Sequence, residues 1–202
     1  MADIKFTKNE LKTQKDALKR YRRFLPTLQL KKQQLQMVIR NVENQEREKR
    51  EARDGARRDL LSWVRLFGED VGLAGLVKVK SLVAETGNIA GVDIPVFHSL
   101  VFEDVPYDLF ETPLWVDAAV DVLKLLIRYE VELAILRKQI ELLGQELRIT
   151  SQRVNLFEKV KIPETRNNIR VIRIYLGDQE TAAVVRGKIS KNKIVLEKVP
   201  QS

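Results

Sequence analysis

Few residues in this chain have the types and spacing that chemistry requires. His98 is the single histidine, and it sits in "VFHSLVF", a β-prone run of apolar neighbours. There a structural histidine is the expected reading, rather than a general base or metal ligand. The chain has no cysteine, which excludes disulfides and thiolate metal sites and fits a reducing compartment. "RGKIS", Arg186 to Ser190, has the Gly187–Lys188 pair of a phosphate loop. Ala182 replaces the upstream glycine, however, and Ile189 replaces the Ser or Thr that should follow the lysine. "GLAGL" at Gly72 is not a dinucleotide fingerprint. The carboxylates lie almost entirely in charge-rich helical stretches, where ion pairing in solvent is the ordinary role. No catalytic, metal-binding or cofactor-binding residue is expected.

Composition points to binding. Of 202 residues, 32% are charged and only 6% aromatic, and the formal charge is +8. Many charges and few aromatics suit helices with long exposed faces, and the cationic balance suits an anionic partner. The charge is uneven. Residues 1–67 hold 18 Lys and Arg against 9 acids, residues 68–113 hold 2 against 8, residues 114–165 hold 8 against 8, and residues 166–202 hold 8 against 3. The start "MADIKFTKNELK" lacks the apolar stretch of a signal peptide, and no apolar run is long enough to span a bilayer. A soluble chain is expected.

Periodicity supplies the scaffold. Ile4, Leu11, Leu18, Leu25 and Ile39 step in sevens, interrupted by Lys32, with Tyr21, Leu28, Leu35 and Val42 at the second heptad position. Pro26 inside this stripe predicts a kink or a fresh helix start. The stripe fades into "ENQEREKREARDGARRD", Glu43 to Asp59, which reads as a solvated helix with pairs such as Glu46–Arg50. Residues 68–113 concentrate Gly and Pro around two β-prone runs and predict a small β-hairpin. From Leu114 the pattern is strongest. Ala119, Leu126, Leu133, Ile140, Leu147 and Val154 step in sevens, followed by Val122, Tyr129, Leu136, Leu143 and Phe157, with Thr150 the break. The expected fold is mainly α: a long antiparallel two-helix coiled coil with a hairpin insert between an N-terminal arm, 1–67, and a C-terminal arm, 114–202. Its seam is expected at Leu126, Leu133, Leu136, Ile140, Leu143, Leu147, Val154 and Phe157. After Pro163 the apolar positions Ile169, Ile172 and Leu176 resume one residue out of phase, which predicts a broken seam and a kinked final helix. Taken alone, "IRVIRIYL" fits a strand equally well.

The segment "QRVNLFEKVKIPETRNNIRVIRIYLGDQE" resembles the D subunit of V-type and archaeal A-type rotary ATPases. The family's motif falls on Arg153, Val154, Asn155, Phe157, Glu158, Ile162 and Pro163. "GNIAGVDIP" and "TKNELK…LKKQQL" match as well, so the likeness covers nearly the whole chain and suggests a bacterial branch. The first helix departs from the family pattern at "FLPTLQLKKQQL", and the final helix carries thinner charge. The resemblance decides for a final helix over a strand. It implies a non-catalytic central axle that couples ATP turnover in a hexamer of A and B subunits to ion transport. A small F subunit and a membrane-ring collar are the implied partners, and the place is peripheral, on the cytoplasmic face of a membrane. No nucleotide and no nucleic acid are expected on the axle. The basic tail, Arg186, Lys188, Lys191, Lys193 and Lys198, is then expected to meet acidic protein surface. A coiled-coil adaptor binding nucleic acid through its basic ends is the competing reading, although Tyr175 is the one aromatic residue near the tail. The missing phosphate loop predicts that the purified chain hydrolyses no ATP. Turnover co-eluting with the monomer would overturn this.

Overall fold

A computed structural model describes residues 4–64, 73–106 and 113–197. The chain is mainly helical. Helix α1 runs Lys8–Val64, α2 is a single turn at Leu73–Leu76, and strands β1 (Lys78–Ile89) and β2 (Val92–Glu103) follow. Helix α3 (Trp115–Asn155) then passes through a π-helical turn, Leu156–Lys161, into α4 (Ile162–Glu197). The expected hairpin thus lies between long helices. The end of the expected first arm, 65–67, parts of the expected insert, 68–72 and 107–112, and Lys198 lie outside the described residues. The chain forms two compact units, residues 31–149 and residues 1–30 with 150–202.

Helix α1 opens on a capping arrangement read directly from "TKNE". The Thr7 hydroxyl oxygen accepts from the Glu10 backbone N–H at 3.2 Å, satisfying one otherwise unpaired donor of the first turn. Pro26 does not start a new helix; α1 continues through it. Loss of one donor within 57 helical residues is offset by the turns on either side.

The unit of residues 31–149 packs three layers of side chains: α1, α3 and the hairpin. Its core is Leu35, Val42, Ile94 and Leu143, with Val38, Ile39, Leu136, Ile140 and Leu147 packed around it. The hairpin turns at Ala90–Gly91, both with positive φ (54° and 77°). That is the backbone a two-residue hairpin loop requires, because its twist matches the strands. Asn88 ties the loop, its Oδ1 accepting from the Gly91 N–H at 3.1 Å. The ladder is antiparallel with two shifts, one bulging β1 at Lys80 and one bulging β2 at His98. Pro95 is tolerated within β2 because its carbonyl accepts from Gln139 Nε2 on α3. In a strand the N and C=O of one residue face the same side, so the missing donor lies away from β1 and no ladder bond is lost.

The unit of residues 1–30 and 150–202 pairs the start of α1 with the end of α3, the π turn and α4. Val154, Ile162, Thr165, Ile169 and Ile172 are buried along it. Tyr21 meets Phe157 with ring centroids 5.2 Å apart, and Phe6 meets Tyr175 at 5.0 Å. The described chain does not break at Pro163. The π turn precedes it, closed by the Ile162 N–H donating five residues back to the Phe157 carbonyl. One extra residue in this turn moves the buried positions from the Val154 register to Ile162, Thr165, Ile169 and Ile172, the one-residue offset seen in the sequence. "IRVIRIYL" is helical.

Leu133 is fully buried and Glu141 is exposed on the same helix. Leu133→Glu is therefore expected to destabilise by several kcal/mol, as burial of an unpaired charge does, while Glu141→Gln changes stability by about 0.5 kcal/mol or less. Equal melting temperatures for the two variants would refute this assignment of the seam.

Candidate functional site

The seam residues divide by depth. Leu133, Leu143 and Val154 are buried, whereas Leu126, Leu136, Ile140, Leu147 and Phe157 are half-buried. Thr150, which interrupts the apolar pattern, is itself buried at 1% exposure. The resemblance motif divides by side. Val154, Phe157 and Ile162 turn inward, while Arg153, Asn155, Glu158 and Pro163 are exposed around the π turn. The Thr165 hydroxyl donates to the Lys161 carbonyl one turn back at 2.6 Å. The motif is thus a re-phasing joint with an outward polar rim.

Most of the charged run of α1 is exposed and the expected Glu46–Arg50 pair forms, but Glu46 itself is covered. Glu46 is only 7% exposed and is held by Arg50 on its own helix and by Arg137 of α3 at 3.1 Å. Glu132 of α3, also 7% exposed, takes Lys49 at 2.6 Å and Arg128 at 3.0 Å. Lys31–Glu146 and Arg53–Glu130 extend the series within the same unit. Lys49 also lies 5.6 Å from the Tyr129 ring centroid, and Arg128 lies 5.6 Å from that of Phe97 on β2. Among the described residues, no buried side-chain polar atom is left without a hydrogen-bond partner. A signal existed: Glu46, Lys49 and Arg53 continue the heptad positions of Ile39 and Val42. The seam passes from apolar to ionic without leaving its register.

Burial pushes the Glu46 carboxyl up, but the hydrogen bonds and charges of Arg50 and Arg137 outweigh it and hold the group below its ordinary range. His98 lies in β2, as the β-prone run predicts. The bulge turns it outward, 61% exposed, with Nδ1 3.5 Å from a Glu85 oxygen. Among the described residues no cluster of His, Asp and Glu is arranged to hold a metal ion. No described helix is long and apolar enough to cross a membrane.

The basic tail forms the second half of α4. Arg186, Lys188, Lys191 and Lys193 are all exposed, as are Val184, Val185 and Ile189. No carboxylate lies within ion-pairing distance of these four cations among the described residues.

The fold defines the class first: a mainly helical protein with a small antiparallel hairpin set between long helices. The chain matches the ATP synthase D-subunit family over residues 10–192. It is 53% identical to the V-type ATP synthase D subunit of Borreliella burgdorferi, covering 96% of each chain. It is 32% identical to the protein of the same name in Chlamydia caviae, covering 96% of this chain and 94% of that one. The chain belongs to the ATP synthase D-subunit family and is part of a rotary ATPase.

The Glu46 cluster generates a pH dependence. A carboxyl whose folded pKa is depressed contributes stability above its unfolded pKa, and loses that contribution as pH falls through the folded one. Glu46→Gln is expected to lower stability near pH 7 by on the order of 1 kcal/mol, because its arginine partners are half-exposed. The difference from wild type should shrink as pH drops below about 4.5. Thermal melts of both proteins between pH 3 and 7 check this, and a constant difference would contradict it.

Proposed function

We propose that this chain is the non-catalytic central stalk of its complex, the axle that couples ATP turnover in a catalytic hexamer of A and B subunits to ion transport through a membrane ring. The family carries the reading, and the free cationic end of α4 supports it most directly. Arg186, Lys188, Lys191 and Lys193 project from a helix segment whose described side chains, Val184, Val185 and Ile189 included, are exposed. Such a segment is stable only when another surface covers it. An acidic protein bore supplies that surface and is drawn to it electrostatically.

The remaining features suit torque transmission. A shaft transmits torque only if its helices do not slide past one another. Apolar packing holds the helices together, and cross-helix ion pairs at Glu46 and Glu132 fix their register against sliding. The hairpin packs on the α1–α3 pair of residues 31–149 and makes that pair asymmetric, so a single shaft can present different faces to successive catalytic subunits. In this reading the small F subunit and a ring collar are further partners, and the complex sits peripherally on the cytoplasmic face of a membrane. The tail meets protein, not nucleic acid.

Truncation tests the coupling role. Removing residues 178–202 takes away one surface pair, Lys8–Glu180, and, among the described side chains 178–194, mostly exposed ones. The shortened chain should fold and bind its small partner, yet yield a complex in which hydrolysis drives less ion transport per ATP. An unchanged ratio of pumping to hydrolysis in reconstituted vesicles would reject a coupling role for the tail.

A further inference from the structure

In the unit of residues 1–30 and 150–202, α1 and α4 flank an open groove of about 490 Å³. Lys15, Lys19 and Arg22 form one wall, and Arg166, Arg170 and Arg173 form the other. Among the described residues no carboxylate lines it, and Leu18 and Ile169 make the floor. Each of the six cations is exposed, and none has an acidic partner within ion-pairing distance among the described residues. Elsewhere on the protein, cations such as Lys8, Lys31, Lys49, Arg53, Arg128 and Arg137 are paired. Like charges four residues apart on a helix repel, and here both walls carry such a pair. The isolated chain leaves that repulsion uncompensated.

The geometry narrows the ligand. Both walls place their charges at i, i+4 and i+7, each triplet spanning about 10 Å of its helix, and the walls run antiparallel, with Phe6 beside Tyr175 and Tyr21 beside Phe157, so the two triplets are staggered along the groove. Carboxylates at i, i+4 and i+7 of another α-helix repeat with the same spacing. Laid along the groove, its carboxylates would meet the cations of a wall one by one, four of the six being guanidiniums able to bind in a fork. The Leu18–Ile169 floor would take the aliphatic stems of the same helix. No aromatic side chain among the described residues lines the groove, so these offer no stacking platform for the bases of a single strand. We propose that this groove seats an acidic helix of a partner protein, recognised by carboxylates at helical i, i+4, i+7 spacing. The inference does not depend on the axle reading and concerns residues outside the basic tail.

The test uses the full chain and a fluorescently labelled helical peptide carrying three Glu at i, i+4 and i+7 on one face. A scrambled peptide of the same composition is the comparison, and anisotropy is read at low and moderate salt. The patterned peptide should bind at least about tenfold more tightly than the scrambled one, and salt should weaken its binding. Lys19→Gln with Arg170→Gln should abolish most of that preference while the helical circular dichroism is retained. Arg186→Gln with Lys188→Gln, which removes the same charge from the tail, should leave it intact. Equal affinity for the two peptides, equal loss in both double variants, or tighter binding of a single-stranded oligonucleotide would overturn the proposal. No other component of the complex enters the assay, so its failure would leave the axle reading standing.

Discussion

Everything in the unit of residues 31–149 depends on one constraint: α1 and α3 must hold a single antiparallel register along their shared seam. Leu35, Val42 and Leu143 set it by close packing, and Ile94 of the hairpin locks it from a third side. Apolar packing alone is tolerant of sliding, because one leucine can replace another in a neighbouring hole. Charged pairs are less tolerant. Glu46 with Arg137 and Glu132 with Lys49 are satisfied in one register, and a shift would strand two nearly buried carboxylates. The ionic stretch therefore fixes alignment more than it adds stability.

A second constraint acts in the other unit, where a proline must be accommodated without ending a helix. The π turn at Leu156–Lys161 resolves it by adding one residue to a turn, so that the chain enters Ile162–Pro163 with its apolar face re-aimed at α1. Tyr21 stacked near Phe157 and the buried pair Ile169 and Ile172 show the new face in use. The same joint leaves Arg153, Asn155 and Glu158 on its outer rim, so local backbone chemistry determines which motif residues remain available to neighbouring proteins.

These two constraints bear on the proposed role. A register that resists slippage suits a part that transmits torque, and exposed cations without partners suit a part completed by its neighbours. The cationic groove and the free end of α4 share that second property. They nevertheless differ in kind: the groove is a two-walled, spaced array, whereas the end of α4 is a lone helix with dispersed charge.

Sequence by itself determined the helices, the hairpin and the family, because each rests on local pattern. Seven-residue steps, Gly and Pro clustering, and the run from Arg153 to Pro163 are all readable along one chain. The one-residue offset after Pro163 was also visible, though its cause was not, since an α-helical kink and a π turn leave the same apolar spacing. The chain alone did not reveal that Glu46 and Glu132 are nearly buried, although Glu46 holds a heptad position. A charged residue is solvated unless another segment covers it, and here Arg137 and Lys49 approach from the opposite helix. Nor did it place His98, which a bulge at that residue turns outward. The six-cation groove is the clearest case. Its two triplets lie about 150 residues apart, and each looks like an ordinary solvated helix face. Only the packing of α1 against α4 brings them to the two sides of one cleft, because charge density is a property of space and not of sequence distance.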